Sequence, residues 1–413
     1  MQYRLLLSLA GLLLVLSQQV TQAGPLTDAL TQARKFDALF QLASHERDAN
    51  LVAAQTAASA YYPQFQASYS QLETENSERQ TYSITQPIVN ADRYATLKET
   101  GPREVLASAT FQLREQDLSQ RLLKAVAEYL RNTESQRLNK AKIDALESQA
   151  RSANKSFDAG IGTLTDMRDA QVRLDQAHAD MLMLEAQIGA AERQIVAITG
   201  TAPLTLSVPR VARTVPLMTL DDYTRPGAQT NPQLILAMQN QQIAELAVTR
   251  AKGGLLPTLA AVYTNSSINN VSSNYTGISL SMPLQAGSYF QMKAAAANAS
   301  KLQGQTHETK QRTQLEIHRL WSQVNAGRVE LSIRLNAIHS AKLSVDANEK
   351  SFKGGVRSQI DVLNSIQTLY QVQQDYVNSV LTLADNYLNL LLFAATPVDD
   401  AMLLVQNLLF PER

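Results

Sequence analysis

Hydrophobic residues recur with a helical period over most of the chain. In residues 164–199, apolar and alanine side chains are separated alternately by three and four positions, which is the heptad pattern of a coiled-coil helix. This seam consists of Met167, Ala170, Leu174, Ala177, Met181, Leu184, Ile188, Ala191, Ile195 and Ile198. A long helical stretch over residues 92–155 precedes it, and Gly101-Pro102 predicts a kink or restart near its beginning. The pattern predicts a long antiparallel helical hairpin.

A second helical hairpin is predicted over residues 289–396. Its first stretch, residues 289–350, would be on the order of 90 Å long at 1.5 Å per residue, which is more than the width of a globular domain. The returning helix carries two adjacent seams. One seam contains Val362, Ser365, Leu369, Val372, Tyr376, Ser379, Leu383, Asn386, Leu390 and Phe393, and the other contains Leu363, Ile366, Tyr370, Val377, Val380, Ala384, Tyr387 and Leu391. Two seams favour a helix with neighbours on both sides, as in a cylinder of helices, whereas a simple hairpin needs one.

Four segments alternate with the two-residue period of β-strands. They lie at about 64–73, 81–89, 258–267 and 275–284. In the last segment, apolar residues share one face and small residues the other: Ile278, Leu280, Met282 and Leu284 against Gly277, Ser279 and Ser281. Apolar-out, small-polar-in alternation is typical of strands in a membrane. The pattern fits an ordinary half-buried sheet equally well.

The chain contains an internal duplication. Residues 156–167 align with residues 351–362 at an offset of 195, and Ser, Phe, Gly, an aliphatic residue and Asp recur. Two further pairs of segments align at offsets of 194 and 196, namely 61–63 with 255–257 and 86–88 with 282–284. Because three markers share nearly one offset, we interpret the sequence as a tandem repeat of a short helix, two strands and a long helical hairpin.

The repeat divides the sequence into five parts. They are a signal peptide (1–23), a first repeat (24–200, with its hairpin at 92–199), a Pro-containing linker or equatorial region (201–232), a second repeat (233–397, with its hairpin at 289–396) and a C-terminal tail (398–413). The short helix that opens each repeat is predicted at residues 48–60 and 232–252.

The N-terminus has the pattern of a secretory signal peptide. Arg4 precedes an apolar run over residues 5–16, and small residues occupy both cleavage-determining positions of Thr21-Gln22-Ala23. A run of 12 residues is too short to span a bilayer of about 30 Å, which argues against an N-terminal membrane anchor. We therefore expect cleavage after Ala23 and export of the mature chain.

Composition and charge exclude several function classes. The 37 basic and 37 acidic residues balance, so the electrostatic footprint of a nucleic-acid-binding protein is missing. The absence of Cys excludes disulfides, thiol catalysis, Cys-ligated metals and a lipoprotein anchor. No nucleophile elbow, phosphate-binding loop or zincin motif is present, and the five His residues lack metal spacing. We predict neither enzymatic activity nor a cofactor or metal site.

Four strands cannot close a membrane barrel, because the smallest closed barrels have about eight. If these strands enter a membrane, the barrel must be shared between subunits. The duplicated unit resembles the TolC-type outer-membrane efflux and secretion channels over essentially all of the mature sequence. The most specific segments are residues 355–363, their counterpart 160–166, and the helix end at 191–200.

That resemblance implies a mainly α fold with a membrane β part. Members of the family are trimers that share a 12-stranded outer-membrane barrel and a long periplasmic α-helical tunnel. The implied partners are two further copies of the chain, outer-membrane lipid, a periplasmic adaptor protein and an inner-membrane ABC or proton-driven pump. The implied function is the passive exit duct of type I protein secretion or multidrug efflux, and the missing Cys favours a secretion or general-purpose channel. The alternative is a periplasmic coiled-coil scaffold or adaptor without a pore.

The resemblance also implies a gate at the two helix-to-helix turns. Asp361 would contribute to a ring of carboxylates in the constriction, which attracts cations. Asn364 occupies the position of a second acidic ring in the family, so a weaker cation block is expected. Arg357 and Asp166 match a charge pair that ties the closed state, and Phe352 matches a position that is Tyr in some members.

The same residues have simpler interpretations. Asp166 and Asp361 suit N-caps of the returning helices, and capping and gating can coexist. Arg357 suits a solvated surface charge. We expect the turn glycines to supply positive φ angles, with adaptor docking at the same turns as a secondary inference: Gly160, Gly162, Gly354 and Gly355.

Aromatic residues cluster near the predicted strands. Tyr61, Tyr62, Tyr69, Tyr82, Tyr263 and Tyr275 suggest an aromatic girdle at a membrane interface, and ordinary cross-strand packing explains each one equally well. Trp321 is expected to pack within the helices.

Overall fold

The computed structural model describes residues 24–72, 77–202, 215–282 and 286–410. The predicted signal peptide, residues 203–214 of the linker between the repeats and the end of the last predicted strand lie outside these ranges. Among the described residues, no helix is both long enough and apolar enough to cross a membrane.

The described part of the chain forms ten α-helices and four β-strands. The first half contains α1 Pro25–Phe36, α2 Ala38–Ala58, β1 Gln64–Leu72, β2 Ser77–Val89, α3 Ala91–Lys98, α4 Thr100–Asp158 and α5 Leu164–Thr199. The second half contains α6 Leu220–Thr230, α7 Pro232–Gly253, β3 Thr258–Ile268, β4 Val271–Ser281, α8 Ala286–Lys353, α9 Gln359–Phe393 and α10 Val398–Leu409.

Two helices, α4 and α8, run the full length of the helical layer. They contain 59 and 68 residues, which correspond to about 90 and 100 Å at 1.5 Å per residue. Toward the sheet, α2 packs on α4, and α7 packs between α4 and α8. Toward the other end, α5 packs on α4, and α9 packs between α4 and α8. The layer therefore has α2 and α5 at one edge and α8 at the other.

The number of seams on a returning helix matches its position in the layer. Both seams of α9 are buried, for example at Val362, Leu363, Leu383 and Ala384, because α9 contacts α4 on one side and α8 on the other. The single seam of α5 is buried against α4 at Ala170, Ala177, Ala191, Ile195 and Ile198. The prediction that α9 has neighbours on both sides is confirmed.

The four strands form one antiparallel sheet in the order β1-β2-β3-β4. The pairing of β2 with β3 joins the two repeats, and Ile84 lies opposite Tyr263. Asn269 and Asn270 connect β3 to β4 with φ angles of +46° and +66°, which Asn tolerates better than most residues. Within the described ranges, β1 and β4 each pair with one strand only and form the two edges of the sheet.

Helices α1, α6 and α10 pack around the middle of the layer. Their apolar faces join α4, α5, α8 and α9 in one continuous core that includes Leu26, Leu122, Tyr223, Leu388 and Met402. Trp321 packs against this core as expected, and its Nε1 donates a hydrogen bond to the carbonyl of Met218 at 3.1 Å.

The described segments nearest the two chain ends contain helices in addition to those predicted from the sequence. The first repeat opens with α1 and α2, separated by Asp37, which caps α2 by accepting a hydrogen bond from Phe40 N at 2.8 Å. The segment expected as a tail contains α10, and the Gln406 side chain on α10 caps α1. Its Oε1 accepts hydrogen bonds from the backbone of Leu26 at 3.0 Å and of Thr27 at 3.1 Å.

A buried carboxylate lies at the restart between α3 and α4. Glu99 separates the two helices and is 1% exposed. Arg103 donates to its Oε2 at 2.8 Å, and Arg250 of α7 donates to its Oε1. Pro102 follows within the first turn of α4, where its missing N–H leaves no backbone acceptor unsatisfied. The predicted restart is therefore fixed by a proline and by an ion cluster that connects the two repeats.

Candidate functional site

The two helix-to-helix turns at the end of the layer far from the sheet are copies of one structure. In the first turn, the carbonyl of Ser156 accepts hydrogen bonds from Ile161 N at 3.0 Å and Gly162 N at 2.9 Å. In the second, the carbonyl of Ser351 accepts from Val356 N at 2.9 Å and Arg357 N at 3.4 Å. These bonds satisfy carbonyls that a helix end leaves without an intrahelical partner.

Two of the four turn glycines have positive φ angles. Gly160 has φ +72° and Gly355 has φ +75°, in the left-handed region that residues with a Cβ atom enter at a cost. The expectation for Gly162 and Gly354 is wrong, because neither of them has a positive φ. A Cβ on Gly162 would lie 2.9 Å from the Cβ of Ser156, so close packing requires glycine there, whereas a Cβ on Gly354 would make ordinary contacts at 3.6 Å.

Both aspartates form capping boxes at the start of the returning helices. Asp166 Oδ2 accepts hydrogen bonds from Thr163 Oγ1 at 2.6 Å and Thr163 N at 3.3 Å. Asp361 Oδ2 accepts from Ser358 Oγ at 2.8 Å and Ser358 N at 3.0 Å. Within one chain, both aspartates therefore act as helix caps, as the simpler interpretation of the sequence expects.

The Asp361 side chain is half-buried, and its carboxylate is ionised at neutral pH. Hydrogen bonds from the side chain and the backbone of Ser358 hold its pKa below the usual carboxyl range, and the nearby positive charge of Arg357 acts in the same direction. A carboxylate with these partners keeps its negative charge under all neutral and mildly acidic conditions.

The predicted Arg357–Asp166 charge pair is not formed within the chain. Among the described residues, Arg357 makes no ion pair, and the charged partner that it influences is Asp361, four positions along the same turn. The Asp166 carboxylate is held by Thr163 of its own turn. Phe352 is half-buried in the last turn of α8.

The hydrogen bonds that join the two hairpins near the turns use other residues. Arg173 of α5 donates from Nη2 to Asn364 Oδ1 of α9 at 2.9 Å. Gln359, the first residue of α9, is buried and donates from Nε2 to Gln149 Oε1 of α4 at 2.9 Å. No local sequence pattern predicts the roles of Arg173 and Gln149, because each bond depends on how one hairpin packs on the other.

A groove of about 590 Å³ lies beside these bonds, between the two hairpins. Helices α4, α5 and α9 line it, and its polar part contains charges of both signs from Lys142, Asp169, Arg173 and Asp180. Lys142 Nζ and Asp180 Oδ2 are 3.9 Å apart across it. Its floor is apolar and includes Leu363, which packs against the small core formed by α4 and α5.

The second candidate feature is the sheet, which separates polar from apolar residues by face. Residues opposite each other in the register share a face, so Phe65, Ile84 and Tyr263 lie on one side and Gln66, Ser83 and Thr264 on the other. The first face also carries Tyr69, Tyr82, Ile278 and Leu280, and these side chains are exposed.

The tyrosines expected as one girdle divide between the two faces. Tyr69, Tyr82 and Tyr263 lie on the apolar face, whereas Tyr275 is opposite Thr264 on the polar face. Tyr61 and Tyr62 precede β1 and belong to neither face. The apolar face with its exposed aromatic and aliphatic side chains suits contact with lipid.

Relatives of known role align with nearly the whole chain. The sequence model of the family described as outer membrane efflux protein matches residues 29–201. The proteases secretion protein PrtF of Dickeya chrysanthemi is 25% identical over 94% of this chain and 92% of its own length. The outer membrane protein TolC of Escherichia coli K12 is 23% identical over 98% of this chain and 89% of its own length.

Solved structures share the fold. The outer membrane protein VceC from Vibrio cholerae has a TM-score of 0.76 at 15% identity and covers 93% of this chain and 97% of its own. The outer-membrane channel OprN has a TM-score of 0.78 at 14% identity, with 92% of both chains covered. The expected fold class, a helical tunnel with a small β part, is confirmed. The relatives that align with nearly the whole chain are outer-membrane and secretion proteins, and the chain is therefore similar to TolC-type outer-membrane efflux and secretion channels in sequence and in fold.

Proposed function

We propose that three copies of this chain form the outer-membrane exit duct of a tripartite export system, a passive channel whose gate is the pair of turns at the periplasmic end. The observation that carries this proposal is that the chain has two different open edges. One edge consists of α2, α5 and β1, and the other consists of α8 and β4. Unlike edges that fit each other generate a closed ring when the rotation between copies closes.

The exposed apolar residues lie where such a ring needs them. The edge helix α8 exposes Leu315, Val329, Ile333 and Leu343, and Leu315 is 71% exposed. The edge helices α2 and α5 also expose large apolar side chains, namely Leu39, Leu42, Val52, Leu164, Val172, Leu182, Met183 and Val196. The long inner helix α4 exposes two such side chains, Val105 and, at the hairpin turn, Phe157, and the inner helix α9 exposes one, Ile360. Apolar patches of this kind mark interfaces between proteins.

The number of copies is inferred from the resemblance to trimeric family members. Three copies of the four-stranded sheet give a shared 12-stranded barrel, and the pairing of β1 with β4 of the next copy satisfies both edges. The apolar face then meets lipid and the polar face lines the lumen. The helical layers continue the ring into the periplasm as a tunnel.

The gate is proposed at the turns because they close the end of the hairpins far from the sheet. Asp361 supplies one ionised carboxylate per chain, and the Arg173–Asn364 bond holds α9 against α5. Engagement of an adaptor and an inner-membrane pump would open the gate by separating the hairpins. We assign Gly160, Gly162, Gly354 and Gly355 to the shape of the docking turns and no catalytic step to any residue.

The cargo is either a protein, as the name of PrtF indicates for that relative, or a small molecule, as the term efflux indicates for the family. The accompanying pump would be of the ABC type in the first case and of the ABC or proton-driven type in the second. Neither the gate nor the sheet selects between these cargoes.

Planar-bilayer recording of the purified full chain tests the pore against the alternative of a periplasmic scaffold. We expect discrete conductance that increases in Arg357→Ser, which removes a cation from the turn next to Asp361. A folded oligomer that shows no conductance in either form contradicts the duct and supports the scaffold.

Mass measurement of the detergent-solubilised protein tests the ring. We expect a trimer for the wild type and loss of the trimer in Leu315→Asp on the α8 edge. The control is Val105→Asp on α4, which places the same charge on an inner helix and should leave the trimer intact. Equal effects of the two substitutions contradict the edge assignment.

A further inference from the structure

The polar face of the sheet is almost free of charge. By the register, it contains the hydroxyl and amide residues Gln64, Gln66, Ser68, Ser70, Thr81, Ser83, Thr85, Thr264, Ser266, Ser273, Ser279 and Ser281. Among the described strand residues, Arg79 is the one charged residue on this face. It lies between Ser70 of β1 and Ile268 of β3 in the same row.

Arg79 has no partner that would neutralise it within the described part of the chain. Its side chain is exposed and forms neither an ion pair nor a side-chain hydrogen bond with any described residue. The neighbouring carboxylate, Glu78, is the adjacent residue on β2 and therefore points to the apolar face. A guanidinium keeps its proton at every accessible pH, so this charge is permanent.

The order of strands and helices along the chain places Arg79 at the end of the sheet that carries the hairpin turns. Strands β2 and β4 lead toward helices at one end of the sheet, so the hairpin turns lie at the other end. Arg79 is in the row next to the β3–β4 turn. Asn269 of that turn ties it to β2, because its Oδ1 accepts from Glu78 N at 2.9 Å and its own N donates to the Glu78 carbonyl at 3.0 Å.

We infer that Arg79 forms a ring of three guanidinium groups around the outer mouth of the pore and gives this end a preference for anions. The inference rests on the proposed trimeric duct. Rings of charged side chains set the ion preference of a pore, and an otherwise uncharged wall leaves Arg79 without local competition. The duct then has opposite charges at its two ends, with Asp361 at the periplasmic gate and Arg79 at the exit.

Reversal potentials in planar bilayers under a salt gradient test this ring. At about 0.1 M salt, where the screening length is about 10 Å, Arg79→Gln should raise the ratio of cation to anion permeability roughly two- to fivefold. The difference should disappear near 1 M salt, where the screening length is about 3 Å. Arg79→Lys keeps the charge and should keep the wild-type ratio. Glu78→Gln, the matched control on the other face, should change the ratio less than Arg79→Gln.

Block by a multivalent anion gives a second readout that locates the charge. Ferrocyanide added on the side of the hairpin turns should reduce the current of the wild type and of Arg79→Lys, and should have little effect on Arg79→Gln. A conducting Arg79→Gln pore with unchanged permeability ratio and unchanged block overturns the ring and leaves the duct intact. A wild-type trimer without conductance overturns the duct and the ring together.

Discussion

Arg173 and Asn364 form one of the hydrogen bonds that connect the two helical hairpins of one chain, with a length of 2.9 Å. Arg173 lies on α5 and Asn364 on α9, so the bond breaks when the hairpins separate. The donor is a permanent cation and the acceptor is a neutral amide. Such a bond is stronger than one between neutral groups, and it needs no ionised carboxylate.

We expect Arg173→Ala to favour the open gate. An exposed bond of this kind contributes about 0.5–1 kcal/mol, so three copies in a trimer contribute about 1.5–3 kcal/mol, which corresponds to about a 10- to 100-fold change in the ratio of open to closed channels. The open fraction in planar bilayers measures this ratio. Gln171→Ala is the control, because Gln171 bonds to Asp175 within α5 and does not reach the other hairpin. An unchanged open fraction in Arg173→Ala contradicts the latch.

The second turn permits a comparison of two adjacent glycines. Gly355 has φ +75°, and Ala at that position costs about 1–2 kcal/mol, because its Cβ approaches the following carbonyl oxygen. Gly354 has an ordinary φ and room for a Cβ at 3.6 Å from its nearest contact. We expect Gly355→Ala to lower the stability of the trimer and increase cleavage of the turn by added protease, with Gly354→Ala close to wild type in both assays. Similar behaviour of the two variants would contradict the distinction drawn from φ.

The turns and their caps could be predicted from the sequence because their interactions are local. Thr163 and Asp166 are three positions apart, as are Ser358 and Asp361, and the spacing of a hydroxyl and a carboxylate at that distance signals a cap. The link from Arg173 to Asn364 spans 191 positions and depends on the packing of α5 against α9, which no local pattern contains. Adjacent glycines cannot be assigned a φ by type alone, and two of the four expectations failed for that reason.

The long helices and their neighbours could be predicted from the sequence, whereas two short helices near the chain ends were not. Heptad seams gave the long helices and the inner position of α9, because seam number depends on neighbour number. The helix α10 was missed although its sequence has a signal. Residues Ala401, Met402, Val405, Leu408 and Leu409 follow a helical spacing, and all five are buried. Helix α1 was missed because it is short and Asp37 separates its apolar residues from those of α2.

The carboxylate of Asp361 makes ion selectivity depend on pH in a defined direction. Ser358 lowers the pKa of Asp361, so this carboxylate stays charged as the pH falls through the usual carboxyl range of about 3.9. Its contribution to cation selectivity and to the stability of the capped turn is present above that range, and is lost only when the pH falls through the lowered value. Ser358→Ala should raise the pKa and move the loss of selectivity to higher pH.

Reversal potentials recorded as a function of pH measure this shift. The equivalent substitution in the first turn, Thr163→Ala, removes the corresponding cap of Asp166 and serves as the control. A titration midpoint that is the same in Ser358→Ala and in the wild type would remove Asp361 from the constriction. A shift of equal size in Thr163→Ala would place both aspartates in it.

The carboxylate of Glu99 couples the two repeats at the junction of sheet and tunnel. It is 1% exposed and receives hydrogen bonds from Arg103 of α4 and Arg250 of α7, and Arg250 also lies 3.3 Å from Asp92. Glu99→Gln preserves the shape but leaves two guanidinium groups without their shared charge, so we expect a loss of about 1–3 kcal/mol per chain, visible as a lower unfolding temperature. Asp221→Asn is the matched control, since the Arg225–Asp221 pair is 80% and 74% exposed and should contribute less than about 0.5 kcal/mol. Equal unfolding temperatures of the two variants would show that the buried cluster contributes no more to stability than a surface pair.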